Sequence, residues 1–69
     1  MMIDYSIERL LQLARSEFLE MPGLRLTPRQ AARLWAIDMP TSERVLDCLT
    51  GTGFLSRNRA GAYSLPSAG

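Results

Sequence analysis

The basic side chains of this chain are all arginine, and five of them could act together on a charged partner. The chain has eight basic and seven acidic residues, with no lysine and no histidine, which gives a net charge of +1. The planar guanidinium of arginine matches the oxygens of phosphates and carboxylates, so an arginine face is suited to a polyanion. A genome-wide bias in base composition would produce the same preference for arginine. The arginines that we expect to point outward are Arg29, Arg33, Arg44, Arg57 and Arg59.

Catalytic chemistry has little support in the sequence. The absence of histidine removes the usual general base and metal ligand. Asp38, Glu43 and Asp47 surround one corner of the chain, but their spacing does not define a pocket. Gly51-Thr-Gly53 follows a predicted helix, whereas a phosphate-binding loop would follow a strand. We therefore expect a protein that is not an enzyme and that carries no cofactor or metal.

Cys48 is the only cysteine, so the chain cannot form an internal disulfide. A redox-sensitive thiol or an intermolecular disulfide is one interpretation of Cys48. A half-buried small residue is favoured, because no histidine or lysine is near in sequence to activate the thiol. The lack of disulfides fits a reducing cytoplasm.

Length and composition predict one small domain. A chain of 69 residues with 46% hydrophobic and 22% charged residues can fold alone, although its core is small. We expect the domain to span residues 1–65 and residues 66–69 to form a flexible tail. No signal peptide and no membrane-spanning segment is predicted, so we expect a cytoplasmic protein that does not contact a membrane.

The first element that could position the arginines is an amphipathic helix over about residues 5–20, which Asp4 or Ser6 would start and Pro22-Gly23 would end. Its apolar stripe comprises Ile7, Leu10, Leu11, Ala14, Phe18 and Met21. Leu13 and Leu19 lie off this stripe. We expect them to flank the core; the alternative is that they form the contact of a homodimer, which would help so small a domain.

A second helix is predicted to begin directly after a short extended segment, Leu24-Arg25-Leu26. Thr27, followed by proline and by glutamine three residues on, has the pattern of a capping box. The inward residues of this helix are predicted to be Ala31, Leu34 and Trp35, with tryptophan in the core rather than stacked on a base.

A third helix is predicted over about residues 41–50, because proline at position 40 disfavours the helical state in the residue before it. Its buried arc is predicted to be Val45, Leu46 and Leu49, and glycines close it. The segment 54–65 then predicts a β-hairpin, in which Gly61 supplies a positive-φ position and Tyr63 packs beneath the strands.

This order of elements, read with the residues themselves, resembles the winged helix-turn-helix family. The similarity lies in Leu-Thr-Pro-x-Gln-Ala-Ala-Arg-Leu at 26–34, Arg-Val-Leu-Asp-x-Leu at 44–49, Gly-Phe-Leu at 53–55 and Gly-x-Tyr at 61–63. Small bacterial members commonly show Leu-Thr-x-x-x-Ala-Ala in the second helix and a Gly-Phe/Leu-Leu step leading into the wing. The similarity covers about residues 24–65 and implies an α+β fold: three helices, a short strand before the second helix and a C-terminal hairpin wing.

The resemblance implies binding of double-stranded DNA in transcriptional control, with the third helix in the major groove and the wing along the backbone. The residues that match the family's contact positions are Thr41, Ser42 and Arg44 for the groove, Arg57 and Arg59 for the wing, and Thr27 and Arg29 for a phosphate at the second helix. Arg33 would extend the basic face.

A protein-interaction or adaptor module on the same fold is the alternative. Winged helices also serve as assembly domains, and fold alone does not fix function. The near-neutral charge and the acidic Glu43 and Asp47 beside Arg44 suit a protein partner at least as well as a phosphate backbone.

Overall fold

Over the residues that the structure describes, three helices are followed by a two-stranded antiparallel sheet, which confirms the predicted α+β class. The computed structural model describes residues 7–66. The helices are α1 (Ile7–Glu20), α2 (Pro28–Trp35) and α3 (Met39–Gly51), and the strands are β1 (Ser56–Arg57) and β2 (Tyr63–Ser64). The residues proposed to start the first helix, Asp4 and Ser6, lie outside this range, as does most of the proposed tail.

Helix α1 buries one face against the rest of the domain, as its apolar spacing predicts. Leu10, Ala14 and Phe18 are buried, and Ile7 and Leu11 pack at the edge of the same core. The prediction for Met21 is wrong: this residue follows the helix and is 49% exposed. The chain turns away at Pro22-Gly23, so the apolar stripe ends at Phe18.

The start of α2 is a capping box, as predicted. The Oγ1 of Thr27 accepts a hydrogen bond from the Gln30 amide at 3.2 Å, and the Gln30 Oε1 accepts one from the Thr27 amide at 3.0 Å. Pro28 occupies the first helical position, where an amide hydrogen is not needed. Ala36 ends the helix in the left-handed conformation, with φ 54°.

Helix α3 begins two residues earlier than predicted. Asp38 is its N-cap, with an extended backbone and a side-chain oxygen that accepts from the Thr41 amide at 2.9 Å. Met39 and Pro40 therefore lie inside the first turn, where the missing amide of proline costs nothing. The break between the helices was predicted over residues 37–40 and lies at residues 36–38, beginning with the left-handed Ala36.

The core lies where α1, α2 and α3 meet the hairpin. Val45, Leu46 and Leu49 are fully buried, as predicted, and they belong to one cluster with residues of α1, α2 and β2. Leu34 was predicted to face inward, but it is 52% exposed. Leu34 lies about 60° around the helix from the buried Ala31, and the larger Trp35 occupies the space beside the core.

The hairpin is shorter than predicted but is tied to the segment before α2. Ser56 pairs with Ser64 and Arg57 pairs with Tyr63. On the other side, Tyr63 forms an isolated antiparallel bridge with Leu26, through two backbone hydrogen bonds of 2.7 and 3.0 Å. The extended segment predicted at 24–26 is thus a single bridge rather than a strand.

Candidate nucleic-acid interface

The predicted contact residues lie on three elements, and α2 carries the first group. Arg29 and Arg33 are exposed and share the outer side of α2, because they are one turn apart. Thr27 is half-buried, and its hydroxyl oxygen and amide are both engaged by Gln30. Since Pro28 has no amide hydrogen, the start of this helix offers few donors to a phosphate. The geometry therefore favours the two arginines over Thr27.

Ser42 is not at a surface, and its prediction as a groove-facing residue is wrong. The side chain is fully buried, and its hydroxyl donates to the carbonyl oxygen of Pro28 at 2.6 Å. Ser42 precedes Val45 and Leu46 by three and four residues, so it lies on the same buried face of α3. Its role is to join the second and third helices at their crossing.

The outward side of α3 carries both signs of charge. Arg44 is exposed, and so are Glu43, Asp47 and Cys48. Thr41 is half-buried, and its hydroxyl and amide are both directed to the carboxylate of Asp38, the N-cap of α3. These hydrogen bonds, that of the hydroxyl first, lower the pKa of Asp38 below the ordinary 3.8. Arg44 is therefore the one residue of the three predicted groove contacts that projects freely from α3.

The hairpin is attached to α3 through Tyr63. This residue is only 4% exposed, and its hydroxyl donates to Oδ1 of Asp47 at 2.8 Å. Burial, the hydrogen bond to Asp47 and the charge of Asp47, in that order, raise the pKa of Tyr63 above the ordinary 10.0, while Arg57 acts in the opposite direction.

The two arginines of the hairpin, Arg57 and Arg59, differ in their surroundings. The Arg57 guanidinium lies 6.0 Å from the centre of the Tyr63 ring, within the range of a cation–π contact. Arg57 is paired with Tyr63 across the strands, so it lies on the face of the hairpin nearest α3. Arg59 is exposed in the turn and is free to reach a partner beyond the hairpin tip.

The two leucines proposed for a dimer contact are exposed, but they do not share one stripe. Leu13 is 42% and Leu19 is 61% exposed. Six residues along a helix correspond to about 120° around its axis, so the two side chains leave α1 in different directions. Neither belongs to the buried cluster or to the hydrophobic side chains packed against it, and the dimer contact stays a prediction.

Trp35 packs against the core, in agreement with the sequence prediction. It is half-buried, and its indole nitrogen is enclosed and has no hydrogen-bond partner among the described residues. Tryptophan usually satisfies its donor when buried, so this nitrogen is a small local cost.

Within residues 7–66, no group of three or more histidine, cysteine, aspartate or glutamate side chains could hold a metal ion. None of the helices α1 to α3 has both the length and the apolar character needed to cross a bilayer.

One arginine that the sequence reasoning did not use, Arg25, lines a cavity of about 340 Å³ beside the hairpin. The signal was present in the alternation Leu24-Arg25-Leu26, which puts Arg25 on the face opposite the buried Leu26.

Comparisons of the chain with protein-family models, with curated protein sequences and with solved structures gave no significant match.

Proposed function

We propose that the chain is a winged helix-turn-helix module that binds double-stranded DNA in transcriptional control. The observation that carries the proposal is the arrangement around α3. Helix α2 crosses the buried side of α3 at Ser42, and the hairpin is held beside it by the Tyr63–Asp47 hydrogen bond. The opposite side of α3 is left exposed next to the hairpin, which is the geometry that a helix needs to enter a major groove.

The bridge between Leu26 and Tyr63 supports the winged-helix assignment. It pairs one residue of the segment before α2 with β2, at the point in the chain where the resemblance implies a short strand. The residues that we assign to DNA contact are Arg44 on α3, Arg29 and Arg33 on α2, and Arg59 in the hairpin turn. Arg57 is assigned a secondary role, because it already lies against the Tyr63 ring.

A salt-dependent titration with duplex DNA tests the proposal. Four arginines on phosphates predict that log K falls against log salt with a slope near −3.6, from about −0.9 per phosphate. Replacing Arg29, Arg33, Arg44 or Arg59 by alanine should each flatten the slope by about 0.9. Arg15→Ala, on α1, is the matched control and should leave the slope unchanged. Absence of binding at low salt, where the electrostatic attraction is strongest, would contradict the proposal.

A single module of this size would bind DNA with modest affinity, so we propose that a homodimer on a two-fold site increases it. Sedimentation of Leu13→Glu and Leu19→Glu, examined separately, tests this. Loss of dimer in one variant only would identify the side of α1 that forms the contact, and a monomeric native protein would exclude the dimer. A cytoplasmic location is part of the same proposal.

A protein partner is the second candidate, and the charges on α3 favour it. Glu43 and Asp47 flank Arg44 on the exposed side, where both carboxylates would repel a phosphate backbone. Leu34 and Met39, 52% and 39% exposed, add apolar area near the crossing of α2 and α3. If duplex binding is absent, the variant Glu43→Lys, which leaves the Tyr63–Asp47 hydrogen bond in place, separates the two candidates. Gain of duplex binding shows that the carboxylate of Glu43 excluded DNA, and continued absence favours a protein partner.

A further inference from the structure

We propose that the outer face of the small sheet holds a phosphate-binding site built from Arg25, Ser56 and Ser64. These three residues line a cavity of about 340 Å³ together with Pro22, Gly23 and Leu65. That volume lies at the lower end of the range of small-molecule sites, so it fits a single phosphorylated small molecule. The site is separate from the surface assigned to DNA and does not depend on that assignment.

The strand register brings the three polar side chains into one row. Ser56 pairs directly with Ser64. Arg25 directly precedes Leu26, the residue bridged to Tyr63, and it lines the same cavity as Ser64 and Ser56. Directly opposed residues in antiparallel strands have Cα atoms about 4.5 to 5.5 Å apart and side chains on the same face. The row Arg25–Ser64–Ser56 therefore crosses the sheet within reach of one small ligand.

The other face of the sheet is used by the fold, which leaves this face free. The adjacent row consists of Leu26, Tyr63 and Arg57, and its first two members are buried against the helices. Because successive side chains in extended chain alternate between faces, the row of Arg25, Ser64 and Ser56 points away from the core. Arg25 and Ser56 are exposed and Ser64 is half-buried, so a ligand can reach all three.

The chemistry of this row suits a tetrahedral oxyanion. A guanidinium offers a fork of donors that pairs with two oxygens of a phosphate, and each serine hydroxyl can donate to a further oxygen. None of the described lining residues is acidic, so no carboxylate competes for the guanidinium inside the cavity. Gly23 contributes a wall without a side chain, and a Cβ built there would meet no atom within 4 Å. A planar carboxylate would use fewer of these donors than a phosphate.

Titration of the whole chain with three probes at constant ionic strength tests the site. The probes are inorganic phosphate, glycerol phosphate and acetate, followed through the backbone amide resonances of Gly23, Ser56 and Ser64. We expect saturable shifts with both phosphates and weaker binding of acetate. Tighter binding of glycerol phosphate than of inorganic phosphate would identify the phosphorylated small molecule as the source of the anion, and equal binding would identify free phosphate. Shifts that do not saturate, or acetate binding as tight as phosphate binding, would overturn the proposal.

Variants separate a built site from a generally basic surface. Arg25→Ala should weaken phosphate binding about tenfold, since a charge-assisted hydrogen bond contributes at least that much. The affinity of Arg25→Lys for phosphate should lie between those of the native chain and Arg25→Ala, because lysine keeps the charge but lacks the forked donors of the guanidinium. Arg15→Ala is the matched control, an exposed arginine outside both the cavity and the proposed DNA surface, and should bind as the native chain does. Equal weakening by Arg25→Ala and Arg15→Ala would overturn the proposal.

A duplex titration of Arg25→Ala distinguishes this site from the proposed DNA surface. We expect its salt slope to equal that of the native chain, since Arg25 is not among the four arginines assigned to DNA. A flatter salt slope in Arg25→Ala, combined with no saturable binding of the small phosphates, would overturn the site and show that Arg25 contacts the DNA backbone instead. Absence of duplex binding in the native chain would contradict the DNA proposal alone and leave the phosphate titrations as the test here.

Discussion

The hydrogen bond between Tyr63 and Asp47 is the direct side-chain link between the hairpin and α3, and its removal should loosen the hairpin. The change Tyr63→Phe keeps the ring, which is 4% exposed, and deletes only the hydroxyl that lies 2.8 Å from Oδ1 of Asp47. A hydrogen bond to a charged group contributes about 1.5 to 3 kcal/mol. Asp47 is exposed, so water replaces part of the lost bond, and we expect a decrease of about 1 kcal/mol in the free energy of unfolding.

Urea unfolding of Tyr63→Phe, Asp47→Ala and the double variant measures this bond as a coupling energy. A loss of about 1 kcal/mol corresponds to a fall in Tm of roughly 4 to 8 °C for a domain of this size. Arg59→Ala, in the exposed hairpin turn, is the control and should change stability by less than about 0.5 kcal/mol. The reasoning is refuted if the effects of the Tyr63 and Asp47 variants simply add, to within about 0.3 to 0.5 kcal/mol.

The same bond predicts a pH dependence at the alkaline end. The pKa of Tyr63 is raised above 10.0 in the folded chain, first by burial and then by Asp47. The unfolded chain therefore loses this proton first as the pH rises. The stability that Tyr63 contributes is complete below about pH 10 and is lost as the pH rises through the folded pKa. Ultraviolet titration of tyrosinate in Asp47→Ala should give a lower pKa that still exceeds 10.0, because burial remains.

Three further predictions concern the helix crossing, the cap of α3 and the hairpin turn. Ser42→Ala should lower the free energy of unfolding by about 1 to 3 kcal/mol, because it removes the hydroxyl that donates to the Pro28 carbonyl. The folded fraction of this variant should bind duplex DNA as tightly as the native chain does. Weaker binding by fully folded Ser42→Ala would show that Ser42 contacts DNA. Hydrogen bonds from Thr41 lower the pKa of Asp38, so the stability that Asp38 contributes is present above about pH 3.8 and is lost as the pH falls through the folded pKa. The free energy of unfolding of Asp38→Asn should therefore fall less steeply with acid than that of the native chain. An unchanged dependence on acid pH in this variant would contradict the prediction. Gly61→Ala should cost about 1 to 2 kcal/mol in thermal unfolding because its φ is 85°, whereas Gly23→Ala, without a positive φ, should cost less, and equal costs would argue against strain in the turn.

The apolar periodicity of the sequence was sufficient to predict the helices and the position of the core. The buried residues of α3 and the capping box at Thr27 follow from local rules that act within one turn of helix. The burial of Ser42 was not predicted, because a polar residue is not counted in an apolar pattern. Its spacing from Val45 and Leu46 nevertheless puts it on the buried arc. Its burial depends on the Pro28 carbonyl, a partner from another helix.

The start of α3 was predicted incorrectly because two local rules compete there. Proline restricts the residue before it, which led to a predicted break at Met39, but proline is also well tolerated in the first turn of a helix. The Asp38 side chain decides the outcome by capping the Thr41 amide. The phosphate site at Arg25 needed the register of three separated segments, which local sequence patterns do not supply.

The bridge between Leu26 and Tyr63 also constrains when this chain can fold during synthesis. It joins two residues that lie on either side of α2 and α3 in the sequence, so both helices must be made before the contact can form. We expect Tyr63, which is added after the three helices, to complete a bundle that is only loosely ordered until then.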